Sequence, residues 1–262
     1  MIHTTPRVAG RLTACVAAML GAAALLVGPA AAPIGAQAAA SAHGSFATLH
    51  SAADTNAQVG HPFNQNGGNW SGYVATGLVA ESVSASWIEP TVTCNATNDT
   101  FAPWVGIGGY GTTTLAQTGV EISCSSGSPV YRAWYELIPA SPVYDDAAVG
   151  PGDAIKAEVI RAGTRYTMTV TDRTRNWTRT VTKSYAGSST SAEFILESPT
   201  GTYPNFGTVT FTGATVNGRQ LSRYRPVALD ASNASGGFDD HTGPLSGGTF
   251  SVSYRRGAAD QT

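Results

Sequence analysis

The sequence predicts an all-β fold built as one antiparallel sandwich or barrel. Three observations carry this. Short runs rich in Val, Ile, Thr, Tyr and Trp recur from about residue 69 to 255, each bounded by clusters of Gly, Ser, Asn and Pro. No stretch of about 12 residues keeps a 3.6-residue apolar period, so no amphipathic helix is expected. The strand-like segments are also evenly and closely spaced, as in all-β domains.

The expected strands are 70–76, 83–89, 101–107, 114–122, 130–138, 154–161, 165–172, 178–185, 191–197 and 208–212, with two more at 222–229 and 248–254. Roughly 190 residues are an ordinary content for one such domain. No internal repeat or linker interrupts this part of the chain. One domain is therefore expected over 66–262, its first strand opening near Asn69.

The part of the chain before the domain has another character. Arg7 and Arg11 lead an apolar run from Leu12 to about Val27, and the small-residue stretch 30–40 comes after it. That is the layout of a secretory signal peptide, with a cleavage site near Ala36-Gln37-Ala38. The run is shorter than the roughly 20 apolar residues of a membrane span, and Gly28, Pro29 and Pro33 break the stretch beyond it. Residues 1–40 are thus expected to be a leader and the mature chain to be extracellular, without membrane attachment. Residues 41–65, rich in Ala, Ser, His and Asn with no sustained period, read as a pro-segment or a disordered lead-in.

The chain holds 15 Lys and Arg against 17 Asp and Glu, and removal of Arg7 and Arg11 leaves 13 against 17. A mature chain with a formal charge of −4 is no match for a nucleic-acid partner. Charged residues are only 12% of the chain, about half the usual share, and Lys156 and Lys183 are its only lysines. Such a surface changes its charge relatively little on acidification. Of three cysteines, Cys15 lies in the leader. In an oxidising compartment the remaining Cys94 and Cys124 are expected to form one disulfide, closing a loop of about 30 residues.

Several chemistries are excluded by what is missing. Only His61 and His241 lie near the domain, at its two ends, and no GxSxG elbow supports a Ser-His-Asp arrangement. Nothing resembles HExxH or a closely spaced Cys and His cluster, so no metal site is expected. The triplet Asp239, Asp240, His241, set among Gly and Ser, reads as a solvated turn rather than a cation site. Gly109, Gly111 and Gly119 precede no helix and make no phosphate loop. Any chemistry must come from carboxylates and amides.

Residues two apart on a strand face the same way, which sorts the polar candidates. On 191–197, Phe194 and Leu196 face one side, expected to be core, and Glu193, Ile195 and Glu197 an open sheet face. Leu115, Gln117, Gly119 and Glu121 share a face of their strand; Arg132, Trp134, Glu136 and Ile138 share a face of theirs. Carboxylates on the solvent side of a strand are usually just solvated, and Trp70, Trp87, Trp104 and Trp134 fit a core as well as a ligand platform. Glu193 and Glu197 stand about 13 Å apart along one strand, too far for the acid pair of a glycosidase. A partner for Glu197 must come from another strand.

Six segments, Trp70-Ser-Gly-Tyr, Trp104-Val-Gly-Ile, Gln117-Thr-Gly-Val, Ala133-Trp-Tyr-Glu, Ala192-Glu-Phe-Ile-Leu-Glu and Phe206-Gly-Thr-Val-Thr-Phe, occur in the order and approximate spacing of the eqolisins. The sequence resembles these glutamic peptidases over about residues 69–215. The resemblance implies a two-sheet antiparallel β-sandwich of the concanavalin A-like lectin and glucanase type with a cleft on one sheet. It implies a secreted acid endopeptidase, insensitive to pepstatin, acting as a monomer on protein or peptide substrates with no metal or other cofactor. The catalytic pair it implies is Gln117 and Glu197, and Trp104, Trp134 and Glu136 match positions lining the cleft. Two positions depart from the family's pattern. An acid usually follows the WVGI motif directly and another precedes the WYE motif by two residues, where this chain has Gly108 and Arg132; Glu121 replaces the usual Asp after QTG-Val. Neither a preference for basic side chains nor a strongly acidic optimum is carried over. The rival reading is a catalytically weak glycan-binding module on the same sandwich, using the aromatic residues.

Overall fold

The computed structural model describes residues 64–232 and 238–255. The expected leader 1–40, the lead-in apart from Asn64 and Gln65, and His61 lie outside the described residues. These hold sixteen strands: β1 (Gln65–Asn66), β2 (Trp70–Thr76), β3 (Ser82–Ile88), β4 (Thr100–Ile107), β5 (Ala116–Ser123), β6 (Val130–Leu137), β7 (Val143–Tyr144), β8 (Ala154–Ala162), β9 (Arg165–Asp172), β10 (Trp177–Ser184), β11 (Ser191–Glu197), β12 (Thr208–Val216), β13 (Arg219–Gln220), β14 (Val227–Asp230), β15 (Asp240–Thr242) and β16 (Phe250–Tyr254). No described helix is long and apolar enough to cross a membrane.

The strands form the two-sheet sandwich that the sequence predicts. One sheet runs β1-β14-β2-β11-β4-β5-β6-β7 and the other β10-β9-β8-β3-β12-β16-β15, with β13 paired to β12. All pairs are antiparallel except β1 with β14. The core between the sheets is one apolar cluster, including Phe101, Val105 and Ile107 of β4, Val120 and Ile122 of β5, and Phe194 and Leu196 of β11. A second cluster of Trp70, Val74, Ala102, Trp104, Leu115, Trp134, Ile138, Ile195 and Leu229 lies on the opposite face of the first sheet. Both faces of β2, β4, β5 and β11 are thus covered, and all four strands are buried nearly throughout.

The second sheet differs on its outer side. Thr167 and Thr182, Thr169 and Thr180, and Thr171 and Thr178 bond hydroxyl to hydroxyl across β9 and β10. Thr208 with Ser253 and Thr210 with Ser251 do the same across β12 and β16. These cross-strand pairs carry no charge, so acid leaves them intact.

Two strand expectations change. Residues 222–229 do not form one strand: Leu221–Tyr224 is a 3-10 turn, Arg225 is left-handed, and β14 starts only at Val227. Pro226 cannot donate to a ladder, so pairing resumes just after it. The segment Asp239, Asp240, His241 is no solvated turn, because Asp240–Thr242 is a strand with Asp240 wholly buried. Ser71 Oγ and the Ala231 amide both donate to Asp240 Oδ1, while Asp230 accepts from Asn64 and the Thr242 amide and pairs with His241 Nδ1. Short, polar and non-alternating, β15 owes its place to those bonds.

Cys94 and Cys124 are joined, 30 residues apart, across the base of the β4–β5 hairpin. Closing a loop of that length contributes about 3–4 kcal/mol through the unfolded chain. Replacing both cysteines by Ala is expected to lower the unfolding free energy by about that amount, read by denaturant titration; an unchanged midpoint would refute a stabilising role.

Candidate active site

The neighbours of Gln117 follow from strand register. On β5, Gln117 stands directly opposite Glu136 of β6 and Gly106 of β4. Gln117 and Glu136 are 0% and 3% exposed, and the Gln117 Nε2 donates to Glu136 Oε2 at 2.6 Å. Gln117 Oε1, also buried, has no partner among the described residues. The amide therefore keeps one acceptor and the second hydrogen of its nitrogen for another group. Burial pushes the Glu136 carboxyl up to about 8, against the opposing pull of the Gln117 amide.

Glu197 ends β11, opposite Trp70 of β2 and Ala102 of β4. Its carboxyl is 1% exposed yet well supplied with donors. Asn69 Nδ2 donates to Oε1 at 2.7 Å and Trp104 Nε1 to Oε2 at 3.1 Å, and the Trp70 side chain donates as well. Those donors favour the carboxylate, and burial with the nearby Glu136 disfavours it. Burial wins, and the pKa of Glu197 lies well above the ordinary carboxyl range.

Gln117 and Glu197 occupy the same sheet and the same face of it, with β4 between their strands. Trp104 bridges that gap. Its ring reaches over Gly106, where a Cβ would come within 2.9 Å of Trp104 Cζ3, and its own strand crowds Gly119, where a Cβ would run into the Pro103 carbonyl oxygen and come within 2.7 Å of Trp104 Cβ. A side chain at Gly106 would press on Leu115 and on the indole that holds Glu197, and one at Gly119 would force the backbone of β4 away. Trp70 packs edge-on against Trp104, with ring centroids 5.1 Å apart. Trp134 flanks Gly119 from the other side and is 2% exposed.

Every site residue singled out from sequence thus lies on one face. Gln117, Glu136, Trp104 and Glu197 are connected in two hydrogen-bonded pairs, and Trp134 packs beside them. The expectation of an open face is corrected, since Glu193 and Glu197 are 0% and 1% exposed and the second apolar cluster fills in around them. Glu193 accepts the Gly109 and Tyr110 amides on Oε1 and holds the turn after β4; burial raises it to about 7. Asn69 and the donor role of Trp70 have no counterpart among the sequence expectations. The only signal for either is adjacency, as Trp70 opens the strand that pairs with Glu197.

Among the described residues no group of three His, Cys, Asp or Glu is arranged to hold a metal ion. A cavity of about 280 Å³ opens between the sheet edges, lined by Thr118, Tyr135, Tyr144, Met168, Arg179 and others. It reaches Trp134, but neither Gln117, Glu136 nor Glu197 lines it. The arrangement of polar groups, and not that cavity, marks the site.

Comparison with known proteins agrees with this fold. The model of the peptidase A4 family matches residues 68–235. Among solved structures, scytalido-glutamic peptidase with a transition state analog inhibitor is similar at 24% identity and a TM-score of 0.63, covering 72% of this chain and 99% of that one. SCP-B, a member of the eqolisin family in complex with the tripeptide Ala-Ile-His, gives 23% identity and a TM-score of 0.60 over the same shares. Aspergilloglutamic peptidase from Aspergillus niger gives 29% identity and a TM-score of 0.52, covering 60% of this chain and 99% of that one. No curated protein sequence matches the chain.

The buried carboxyls set a pH dependence of stability. Glu89, Glu136 and Asp240 are pushed up to about 8 and Glu193 to about 7, in each case chiefly by burial. A carboxyl with a higher pKa folded than unfolded binds protons preferentially in the folded chain. Its stabilising share is whole below the unfolded value of 4.5 or 3.8 and is lost as the pH climbs through the folded value. Calorimetry is expected to show Tm falling steadily from pH 5 to pH 8, and Glu89→Gln is expected to flatten that fall. A Tm that rises over this range would contradict the burial of these groups in neutral form.

Proposed function

The chain belongs to the peptidase A4 family and is a glutamic-type endopeptidase, and on that premise we propose that Gln117 and Glu197 form its catalytic pair. The observation that carries the proposal is their complementary provision. Glu197 is an acid–base group held on both oxygens by nitrogen donors, and Gln117 is an amide tied by one hydrogen to Glu136 with its oxygen unpartnered.

The chemistry follows from those unused valences. Gln117 Oε1 accepts one hydrogen of a water molecule and ionised Glu197 accepts the other. Glu197 takes that proton as the water oxygen bonds to the scissile carbonyl carbon. The carbonyl oxygen becomes an oxyanion, and the second Nε2 hydrogen of Gln117 donates to it from a water-poor, pre-oriented position. Glu197 then gives its proton to the departing nitrogen as the C–N bond breaks, which restores the carboxylate. Glu136 fixes which end of the Gln117 amide faces the substrate, and Trp104, Trp70 and Asn69 hold the carboxyl of Glu197. Trp134, and with it the ring of Trp104, walls the substrate path. Trp70, Trp104 and Trp134 are at most 4% exposed and form no open platform for stacking sugars, which disfavours the glycan-binding reading. The exported, monomeric mature chain cleaves protein and peptide substrates outside the cell.

Purified protein incubated with casein is expected to show cleavage that pepstatin does not block. Glu197→Gln and Gln117→Glu should each reduce kcat by about 10³-fold or more. Activity surviving both substitutions would sink the site assignment. The rate should fall on acidification as Glu197 takes up its proton, and the fall should begin above the ordinary carboxyl range because burial raises that group; a rate still climbing at pH 2 would instead make protonated Glu197 the acid that starts the reaction.

A further inference from the structure

In the eight strands of the sheet that carries Gln117 and Glu197, Arg132 is the one cationic residue. It shares the face of β6 that holds Trp134 and Glu136, four positions from Glu136 and so about 13 Å along the strand. Across β5 it stands opposite Glu121, which shares a face with Gln117.

The guanidinium is held in a built setting. Its Cζ lies 4.2 Å above the ring centroid of Tyr144, and its Nη2 is 3.5 Å from Glu121 Oε1. Tyr144 closes the triangle by donating its hydroxyl to Glu121 Oε2 at 2.8 Å. Stacking and pairing together fix the plane of the fork, which a lysine could not reproduce. Within the triangle the two charges are unequally placed: the Arg132 side chain is 37% exposed and that of Glu121 is 1% exposed. A chain lying along this face therefore meets the cation and not the acid beneath it. Glu136 and Glu193, raised by burial to about 8 and about 7, are largely neutral at pH 5.5 and add little negative charge to this face.

We propose that Arg132 is a specificity-determining residue that selects substrates carrying an Asp or Glu side chain two to four residues from the scissile bond. Because Gln117 stands opposite Glu136, Arg132 is offset from the Gln117 position by the same roughly 13 Å along the strand direction, and a peptide extended in that direction at roughly 3.3 Å per residue, with the reach of the arginine arm allowed for, gives that spacing. An acidic side chain gains a bidentate partner there, and a Lys or Arg side chain meets a like charge, so discrimination draws on both attraction and repulsion. The inference rests on peptide cleavage at Gln117 and Glu197.

The test is a library of peptides identical except for Glu, Gln or Lys scanned through four positions on each side of the cleaved bond. It is run at pH 5.5, where the substrate carboxylate is ionised. The full chain is expected to cleave Glu peptides about 10-fold faster, in kcat/KM, than Lys peptides at one or more positions two to four residues from the bond. In Arg132→Gln the ratio should shrink to about 2-fold or less, in Arg132→Glu it should invert, and in Arg132→Lys it should be restored in part. Raising NaCl from 20 to 500 mM should reduce the preference of the unsubstituted protein, because a half-exposed charge is screened. If a variant does not fold by circular dichroism, the preference and its salt dependence in the unsubstituted protein decide. Cleavage with no acidic preference, or a preference that survives Arg132→Gln or ignores salt, overturns the inference. Absence of cleavage of every peptide overturns the catalytic assignment on which it stands.

Discussion

The structure turns on a contest at one carboxyl. Glu197 is almost wholly removed from water, which favours its neutral form, while Asn69, Trp70 and Trp104 direct nitrogen donors at its two oxygens, which favours the anion. Donors that only partly offset desolvation leave the group with a raised pKa and fixed in orientation. In the proposed mechanism that combination suits a residue that accepts and returns a proton within one turnover, because the raised pKa makes the carboxylate a stronger base and the donors keep its oxygens aimed. The position of the carboxyl is set by three segments of chain that meet only in the folded sheet: the entry to β2, the middle of β4 and the end of β11.

Much of the architecture serves to keep those segments in register. The core between the sheets fixes the alternate residues Phe101, Val105, Phe194 and Leu196, so Ala102, Trp104, Ile195 and Glu197 have no choice but the other face. A one-residue slip of β11 would send Glu197 into the apolar interior and bring Leu196 into the site. The disulfide at the base of the β4–β5 hairpin ties down the two strands that carry Trp104 and Gln117. On the far sheet, hydroxyl pairs replace ion pairs across β9, β10, β12 and β16, so the face most open to the medium depends little on its acidity. Low charge in the sequence and buried neutral carboxyls in the fold point towards the same conditions.

Alternation was legible in the sequence, and environment was not. The period of two on Ser-Ala-Glu-Phe-Ile-Leu-Glu separates core from site residues correctly, because it depends only on backbone pleat. It could not reveal that the site face is itself covered, since a Glu in an alternating strand looks the same beside water or beside Trp104. Asn69 was legible only as a residue next to a strand; its bond to Glu197 spans 128 positions and arises from pairing of β2 with β11. The strand β15 escaped for the opposite reason. Its residues Asp240, His241 and Thr242 have turn-like composition, and long-range bonds from Ser71, Ala231 and Asp230 override that local preference.

The geometry also accounts for why an amide, and not a second acid, faces Glu136. At 2.6 Å from a carboxyl oxygen of Glu136, the amide at position 117 supplies the hydrogen. A carboxyl there could do so only while protonated, and with Glu136 and Glu197 close by it would join a set of interacting acids whose protons leave in steps belonging to the group and not to one residue. An amide has no such titration. It donates to Glu136 at every pH at which the sheet is folded, and still offers one further hydrogen and one oxygen to whatever lies between it and Glu197. In the proposed mechanism glutamine thus separates two duties: proton transfer stays with Glu197, and fixed hydrogen bonding with Gln117. The pH response of the site then belongs mainly to its buried acids, and the orientation of the amide is set by the pairing of β5 with β6.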